Sequence, residues 1–598
     1  MARILLFLMK CILGLLATLG LLVVVALVGG WLFWQQLVEW RTAGRDALPD
    51  RIVLKLDLAE GLRDGPAEGP LALVGLDNTP SFRDVVQTLE EAAEDERVAG
   101  VVLRLGYGNL SPAQAQELRA ILTRFRDGER FAMGFAEAFG EAGDGNEHYH
   151  LATALNEVWL QPSGTLDLVG YQLQQPFVRN LLEDWDIALR ADQRQQWKGF
   201  VDTALREDLS PPVRENLQAV VDSLYEQLAT AVAEGRGLTP AEARSRIDSG
   251  PYTAPEALEA GLIDHLGYRS DFEKASLGLA GEEADFLDLL DYLDAVPDEE
   301  RSESRIALLH LDGAIQLGGG SDPFGTATAG MEKVVESLRA AADDEDVSAI
   351  VLRIDSPGGS AVASDMVWHE IRRIREEIKP VVISLGSIAA SGGYYIAVAG
   401  HPLLAQPGTL TGSIGVAGGK PVLEDFWPHL GLDWDGVQAG RNADIWSLNS
   451  DFSPEQWRKF QGYLDQTFED FTRKVAEGRG LEGSALEAVI GGRIFTGEQA
   501  LEAGLVDALG GLPEAAAAAA QEAGLDPETG FRLVDYPVAG GSYEEVLDLV
   551  LGGAPGTPSG LKSLLAVADR LAPLVKAFSG LAADPRQNLL QAPEVRTR

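Results

Sequence analysis

A serine followed by two glycines is the local sequence best suited to chemistry in this chain. Ser391 precedes Gly392 and Gly393, after an apolar run that predicts a strand and before the helix-forming segment Tyr-Tyr-Ile-Ala-Val-Ala. Glycine leaves the space in front of the hydroxyl open, and the following backbone N–H can point at a developing oxyanion. The pattern suits a nucleophile at the start of a helix. A serine that only caps the helix is the alternative.

A second glycine turn could supply the other oxyanion donor. The sequence Ser-Pro-Gly-Gly-Ser follows the apolar run Ala-Ile-Val-Leu-Arg-Ile, so Gly358 and Gly359 fall at the carboxyl end of a predicted strand. Open α/β sheets place their sites at that edge. A plain connection between a strand and a helix would show the same pattern.

A serine nucleophile needs a base, and histidine is the first residue type to consider. His369 and His401 are nearest in sequence, but neither belongs to a recognisable loop with an orienting carboxylate. A lysine can serve where burial keeps its amine neutral. Lys198 is flanked by Trp197 and Phe200, whose side chains could exclude water from its amine. A lysine beside aromatic residues is also common on protein surfaces.

Charge and cysteine content exclude several classes of function. The 598 residues carry 91 acidic and 49 basic side chains, which gives a formal charge of −42. A surface this acidic repels phosphate, so nucleic acid is not an expected partner. Cys11 is the single cysteine, which excludes an intrachain disulfide and a cysteine-built metal site. His148 and His150 have no clear third ligand, so no metal site is predicted.

Recurring segments indicate that the elements around these residues form a duplicated domain. VAGVVLRL from Val98 recurs as VSAIVLRI from Val347, and ALEAGLIDHLG from Ala257 recurs as ALEAGLVDALG from Ala500. In each copy, apolar runs alternate with segments of helical periodicity. This alternation predicts a mostly parallel sheet covered by helices on both faces.

The two copies differ at the candidate catalytic positions. Ser391 aligns with Asn146 of the first copy, and Lys198 aligns with Arg441 of the second. The first copy has therefore lost the nucleophile, and an arginine guanidinium does not deprotonate in a protein. Each copy keeps one half of a candidate pair, so a single Ser–Lys site built from both halves is the economical interpretation.

The amino terminus predicts a membrane anchor. Residues 11–34 contain no charged side chain, and as a helix they would extend about 36 Å, enough to cross a hydrocarbon core of about 30 Å. Trp31 and Trp34 lie at the far end, where aromatic residues meet the interface. Arg3 and Lys10 precede the run and favour an inward amino terminus. A cleaved signal peptide is the alternative, but no clear cleavage site follows.

Several features together resemble the signal peptide peptidase A family, in its long bacterial form with two repeats. They are the anchor, the duplication, and the motifs DSPGGS at 355–360, AASGGYYIA at 389–397 and TLTGSIGV at 409–416. The resemblance implies a peptidase of cleaved signal peptides and other apolar peptides that needs no metal or cofactor. It also implies a homotetramer in the bacterial inner membrane, with its domains facing the periplasm or exterior.

The resemblance assigns roles to individual residues. It implies that Ser391 is the nucleophile, that Lys198 is the general base, and that the oxyanion hole uses the backbone N–H groups of Gly392 and of the glycine turn at 358–359. The family usually has Tyr-Lys-Ser-Ala around the base, whereas this chain has Trp-Lys-Gly-Phe. A serine that helps to orient the lysine is therefore replaced by Gly199.

We therefore predict an α/β protein with tandem duplicated crotonase/Clp-protease-like domains after one N-terminal transmembrane helix. The predicted parts are a stub and anchor at 1–45, a first repeat at 46–280, a linker at 281–304, a second repeat at 305–520 and an unassigned tail at 521–598. Two other functions are compatible with the sequence. One is a non-catalytic, membrane-associated scaffold of the same fold, and the other, less favoured, is a crotonase-type acyl-CoA enzyme.

Overall fold

The computed structural model describes most of the two repeats. It covers residues 48–536, apart from 59–60, 66–79, 107, 129, 142, 282, 296–303, 319–327 and 528–530, together with 590–591. The predicted anchor at 11–34 lies outside these residues. Within the ranges covered, no helix combines the length and the apolar character that a membrane crossing requires.

The first repeat alternates strands and helices. Its elements are β1 (Arg51–Asp57), α1 (Phe82–Glu94), β2 (Val98–Leu105), α2 (Pro112–Asp127), β3 (Phe131–Ala136), α3 (Asn146–Ala152), β4 (Glu157–Leu160), β5 (Thr165–Leu166), α4 (Arg179–Asp184), β6 (Ala188–Arg194), α5 (Asp202–Leu205), α6 (Pro211–Arg236), α7 (Pro240–Asp248), β7 (Tyr252–Thr253), α8 (Ala254–Glu259), β8 (His265–Leu266), α9 (Arg269–Ala280), β9 (Ala284–Asp288) and α10 (Leu289–Ala295). Six of the strands form a parallel sheet in the order β8-β4-β3-β2-β1-β9.

The second repeat follows the same plan. Its elements are β10 (Arg305–Asp312), β11 (Ala314–Gln316), β12 (Thr328–Gly330), α11 (Met331–Asp343), β13 (Val347–Ser356), β14 (Gly358–Gly359), α12 (Ala361–Glu377), β15 (Val381–Ala390), α13 (Gly392–Ala397), β16 (Leu403–Ala405), β17 (Leu410–Gly412), β18 (Val416–Val422), a short 3₁₀ helix (Trp427–Leu430), α14 (Pro454–Arg479), α15 (Gly483–Val489), β19 (Ile494–Thr496), α16 (Gly497–Glu502), β20 (Ala508–Leu509), α17 (Leu512–Glu522), β21 (Arg532–Asp535) and β22 (Leu590–Gln591). The strand order β20-β16-β15-β13-β10-β21 repeats that of the first sheet, and β17 and β19 extend the second sheet beside β15.

The predicted boundaries need correction at the end of each repeat. Part of the predicted linker at 281–304 belongs to the first repeat, because β9 pairs with β1 and α10 buries Leu289 and Tyr292 in the first core. In the same way β21, in the predicted tail at 521–598, pairs with β10. The sequence signal is weak because β9 reads ADFLD, a short acidic strand that is half exposed at the sheet edge.

Burial patterns explain why these segments form their elements. The strand β2 reads VAGVVLRL and is buried along nearly all its length, as expected for a central parallel strand. In α1, Phe82, Val85, Val86 and Leu89 recur at three- and four-residue spacing and pack into the first core. Each repeat therefore has its own hydrophobic core around its own sheet.

An arm of the first repeat, residues 188–236, joins it to the second. Its strand β6 pairs antiparallel with β18 along the full length of both strands. Its helix α6 packs an apolar face, which includes Val213 and Leu217, against Ile494 of the second repeat. The side-chain amide of Asn216 donates to the carbonyl of Ile494 at 2.8 Å and accepts from its N–H at 2.9 Å. The arm thereby fixes the residues between β6 and α6 against the second sheet.

Candidate active site

Ser391 lies at the sharp turn between β15 and α13. The strand ends at Ala390 and the helix begins at Gly392, in agreement with the predicted start of a helix. The φ of 54° and ψ of −112° at Ser391 are strained for a residue with a side chain, at a cost of about 1–3 kcal/mol. Two backbone hydrogen bonds hold the turn. The N–H of Ser391 donates to the carbonyl of Gly412, and its own carbonyl accepts from the N–H of Tyr395, both at 2.8 Å.

Lys198 reaches this turn from the arm of the first repeat. The N–H of Trp197 donates to the carbonyl of Gly491 at 3.2 Å, which ties the chain just before the lysine to the second repeat. A Cβ atom at Gly492 would lie 2.6 Å from the backbone nitrogen of Lys198, and the φ of Gly492 is +90°. Glycine is thus required at this position, because any side chain would push the lysine away.

The structure brings Lys198 and Ser391 together. The Nζ atom of Lys198 donates a hydrogen bond of 2.6 Å to Oγ of Ser391. It also lies 3.0 Å from both the carbonyl oxygen and Oγ of Ser413. All three residues are fully buried. The arrangement places an amine within proton-transfer distance of a hydroxyl, with Ser413 orienting the amine from a second direction.

Burial sets the protonation state of the lysine. Removal of water lowers the pKa of Lys198 well below its ordinary value, since a charged ammonium loses more hydration than a neutral amine. Its three hydrogen-bond partners are neutral oxygens. The neutral amine that a base requires is therefore favoured.

Two glycine segments meet in front of Ser391. A Cβ atom at Gly392 would lie 3.0 Å from the backbone nitrogen of Gly359, so the two segments are in close contact there. The N–H of Gly358 instead donates to Oγ of Ser356 at 3.2 Å. Ser356 in turn donates to the carbonyl of Gly313 at 2.6 Å and so braces the turn. Of the three predicted donors, Gly359 places its nitrogen beside Gly392, whereas Gly358 uses its N–H to hold the turn.

The aligned residues of the other copy have different surroundings. Asn146 begins α3 of the first repeat and uses its side chain to bind the backbone of Val169 and Gly170. Arg441 is exposed and pairs with Glu455. The site is therefore assembled once, from one half of each copy.

Ser413 is a site residue that the sequence analysis did not single out. It belongs to the motif TLTGSIGV, which carried the family resemblance, and its φ of 51° is as unusual as that of Ser391. The strand β17 aligns Gly412 with Ala390 of β15, which sets Ser413 next to Ser391. The motif was the available signal, but only strand pairing identifies which of its residues touches the lysine.

Gly199, where the family usually has serine, lies against the arm's own helix. A Cβ atom at this position would come within 2.9 Å and 3.1 Å of the two methyl groups of Val213, which is nearly fully buried. Meanwhile the hydroxyl of Ser413 already contacts the lysine. Gly199 therefore allows the arm to pack closely against Val213, and Ser413 supplies the hydroxyl partner of the lysine.

Restoring the serine is expected to destabilise the protein. Gly199→Ser should lower the free energy of unfolding by about 1–3 kcal/mol through overpacking, and Val213→Ala should lower it by less in the Gly199→Ser background than in the parent. Urea unfolding of the parent, the two single variants and the double variant gives the coupling energy between the two positions. Gly278→Ser is the control, because a Cβ atom there meets nothing within 4 Å. Additivity within about 0.3 kcal/mol would contradict the steric explanation.

A buried ion network joins the two repeats next to β15, the strand that leads to Ser391. The guanidinium of Arg353 lies 3.3 Å from Asp64 and 3.0 Å from Glu117, two carboxylates of the first repeat. It also donates to Oγ of Ser384 on β15 at 2.8 Å. Burial and the neighbouring Asp64 raise the pKa of Asp355 to about 7, and this carboxyl accepts from the backbone of β15. The network fixes the strand that leads to Ser391.

The chain is similar to known peptidases over most of its length. The family model "Peptidase family S49" matches residues 140–280 and 373–526, and the model "Clp protease" matches residues 300–408. "Protease 4" of Salmonella typhi is 30% identical over 523 residues, which are 84% of this chain and 81% of that protein. "Serine protease SPPA, chloroplastic" of Arabidopsis thaliana is 28% identical over 497 residues, 81% of this chain and 72% of that protein. The S49 matches include both Lys198 and Ser391.

Proposed function

The chain belongs to peptidase family S49, and we propose that it is a membrane-anchored serine endopeptidase with a Ser391–Lys198 dyad. The observation that carries the proposal is the 2.6 Å contact between Nζ of Lys198 and Oγ of Ser391 in a fully buried setting. A lysine at that distance, with its pKa lowered by burial, can act as the base that a serine nucleophile needs.

Acylation begins with proton transfer. The neutral amine of Lys198 takes the proton of the Ser391 hydroxyl as Oγ attacks the carbonyl carbon of a peptide bond. The carbonyl oxygen becomes an oxyanion, which the N–H groups of Gly392 and Gly359 stabilise. Collapse breaks the C–N bond, the ammonium of Lys198 returns its proton to the leaving amine, and the acyl group remains on Ser391.

Deacylation repeats these roles with water. Lys198 takes a proton from a water molecule while the oxygen of that water attacks the ester carbon. The second oxyanion uses the same two N–H groups. Its collapse breaks the bond to Oγ, Ser391 recovers the proton, and a peptide with a new carboxyl terminus leaves. The cycle consumes one water per peptide bond and returns both residues to their starting state.

We propose cleaved signal peptides and other apolar peptides as the substrates. Family membership supports this class, and the uncharged run at 11–34 supports an anchor that would hold the two repeats at a membrane where such peptides are released. The strongly enclosed dyad favours chains that can enter in an extended form. A homotetramer, with the active sites in a shared bowl at the bacterial inner membrane, is the assembly that we propose on the same family grounds.

The test is cleavage of a quenched fluorescent peptide that carries the apolar core of a signal sequence. The full chain, solubilised in detergent, is expected to cleave it, and Ser391→Ala is expected to fold without cleaving it. Ser387→Ala is a matched control, since Ser387 lies on the same strand and donates to Oγ of Ser111 at 2.7 Å. This variant should retain cleavage.

Other outcomes would point to other functions. Cleavage by Ser391→Ala at the parent's rate would rule out the dyad. A folded parent that cleaves no peptide but captures membrane proteins would favour a scaffold. Hydrolysis of an acyl-CoA thioester instead of the peptide would favour a crotonase-type enzyme.

A further inference from the structure

A buried lysine contacts the short helix that follows Ser391. Lys474 of α14 is 4% exposed, and its Nζ atom donates hydrogen bonds to Asp365 of α12, to Oη of Tyr395 and, at 3.0 Å, to Asp470. An ammonium group has three N–H bonds, so each of them has one oxygen partner here. None of these four residues takes part in the proposed proton transfers.

Two carboxylates fix the phenol of Tyr395. Its Oη atom lies 2.5 Å from Oδ2 of Asp470 and 3.0 Å from Oδ1 of Asp365. The centroid of its ring lies 5.1 Å from that of Phe471, and the side chain is nearly fully buried. Hydrogen bonds to charged groups are stronger than those between neutral groups. The hydroxyl of Tyr395 is therefore anchored in one position.

The backbone of the same tyrosine holds the strained turn at Ser391. The N–H of Tyr395 donates to the carbonyl of Ser391 at 2.8 Å. The helix α13 has only six residues, too few to be stable without support from its surroundings. A residue in a strained conformation persists only where neighbouring contacts enforce it. The anchored side chain of Tyr395 supplies such a contact one helical turn after Ser391.

The first copy, which lacks the nucleophile, also lacks this cluster of charges. The aligned residues are Gln116 for Asp365, Gln227 for Asp470, Ala231 for Lys474 and His150 for Tyr395. The two glutamines form a neutral hydrogen bond of 2.8 Å with each other. Burial lowers the pKa of His150 to about 3, so this residue is also uncharged at neutral pH. The shared fold therefore does not require the charged cluster, which occurs in the copy that carries Ser391.

The helix that carries Lys474 also contacts the arm. Arg194 at the end of β6 donates to the carbonyl of Gln461 of α14 at 3.0 Å, and the side-chain amide of Gln461 donates to Asp192 of β6 at 3.2 Å. Lys198 follows four residues after Arg194. One helix thus contacts both the strand that leads to the candidate base and the helix that follows the candidate nucleophile.

We propose that Tyr395 is a positioning residue for Ser391, held in place by Lys474, Asp365 and Asp470. Without the anchored hydroxyl, the turn should sample conformations in which Oγ of Ser391 is displaced from its attacking position. The effect on kcat rests on the proposed peptidase function, whereas the effect on the turn does not.

The kinetic test removes one oxygen atom from the full chain. Tyr395→Phe is expected to lower kcat for the quenched peptide about 10- to 100-fold and to keep KM within about twofold of the parent's value, because a displaced nucleophile slows attack. Lys474→Met should also lower kcat. Combining the two substitutions should lower kcat by less than about twofold beyond the stronger single effect, since both act through the same hydroxyl.

Tyr149→Phe is the matched control. Tyr149 is fully buried in the first repeat, and its hydroxyl donates to the carbonyl of Leu262 at 2.6 Å. This variant loses a buried hydroxyl of the same kind and should keep the parent's kcat. An unchanged kcat in Tyr395→Phe, or an equal fall in Tyr149→Phe, would overturn the positioning role.

Hydrogen exchange of the folded protein separates this inference from the function. In Tyr395→Phe the amides of residues 392–398 should exchange at least about tenfold faster than in the parent, whereas those of α3, the aligned helix of the first repeat, should keep the parent's rates. Faster exchange around α13, combined with a parent that cleaves no peptide, would remove the function and keep the positioning role. A parent that cleaves the peptide, combined with unchanged exchange and kcat in Tyr395→Phe, would keep the function and remove the positioning role.

Discussion

Lys198→Met is expected to lower kcat/KM by about 10³–10⁴-fold in a chain that remains folded. Methionine fills a similar volume but cannot take the proton of Ser391, which lies 2.6 Å from the amine in the parent. The remaining rate would come from the oxyanion donors and from substrate binding. In the parent, kcat/KM should rise with pH as Lys198 loses its proton, and this rise should occur well below the ordinary pKa of lysine because burial lowers it.

A second buried lysine provides the control. Lys420 is also fully buried, and its Nζ donates to the carbonyls of Ile445 and Ser447 at 3.0 Å and 2.6 Å. Lys420→Met removes a buried amine away from Ser391 and should leave kcat/KM within about twofold of the parent. A comparable loss in both variants would mean that general damage to the fold, and not a missing base, explains the result.

Lys198→Met should also change how the free energy of unfolding depends on pH. The pKa of Lys198 is lower in the folded protein than in the unfolded chain, so between those two values only the unfolded chain carries the proton. The free energy of unfolding of the parent should therefore rise with pH in that window, by up to about 1.4 kcal/mol per pH unit from this group. Lys198→Met lacks this contribution. The free energy of unfolding of the variant, minus that of the parent, should therefore decrease as pH rises through that window.

Arg353→Leu is expected to lower the free energy of unfolding by about 3–5 kcal/mol. The substitution leaves the carboxylates of Asp64 and Glu117 buried without the guanidinium that lies within 3.3 Å of both. Urea unfolding of the full chain measures the loss. The loss should be smaller at low pH, where protonation removes the unpaired charges, and adding Glu117→Gln should recover part of it at neutral pH.

An exposed ion pair between the same two repeats gives the comparison. Arg124 of the first repeat lies 2.9 Å from Glu514 of the second, and both side chains are exposed. Arg124→Leu should lower stability by less than about 1 kcal/mol, because water screens the pair and solvates the carboxylate left behind. Equal losses for the two arginines would show that burial of the network contributes nothing.

The sequence was sufficient for the overall plan of the fold. Recurring segments indicated two copies of one unit, and the two sheets share one strand order. The apolar runs before Ser356 and Ser391 were correctly predicted as strands. The expected resemblance to the signal peptide peptidase A family was confirmed by the match to peptidase family S49 and by the similarity to the chloroplastic serine protease SPPA.

The site could be predicted only in part. Ser391 had a strong local signal, since the strand, the serine and the two glycines are adjacent in sequence. The local sequence signal for Lys198 was weak, because its contact with the serine depends on pairing between β6 and β18. The network around Arg353 had no local sequence signal, because Asp64 and Glu117 come from the other repeat and their spacing follows no periodic pattern. Local patterns identify residues at turns, whereas contacts between distant segments require the fold.

The division of the candidate dyad between the repeats also determines when the proposed site can form during synthesis. Lys198 and Ser391 are 193 positions apart in the chain, and a ribosome adds about 5–20 residues per second, so about 10–40 s pass between the two. The strands β17 and β18, which bring Ser413 and the arm into place, are made later still. A nascent chain therefore carries the candidate base without its serine partner while the first repeat folds, and the proposed site cannot form until both repeats have been made.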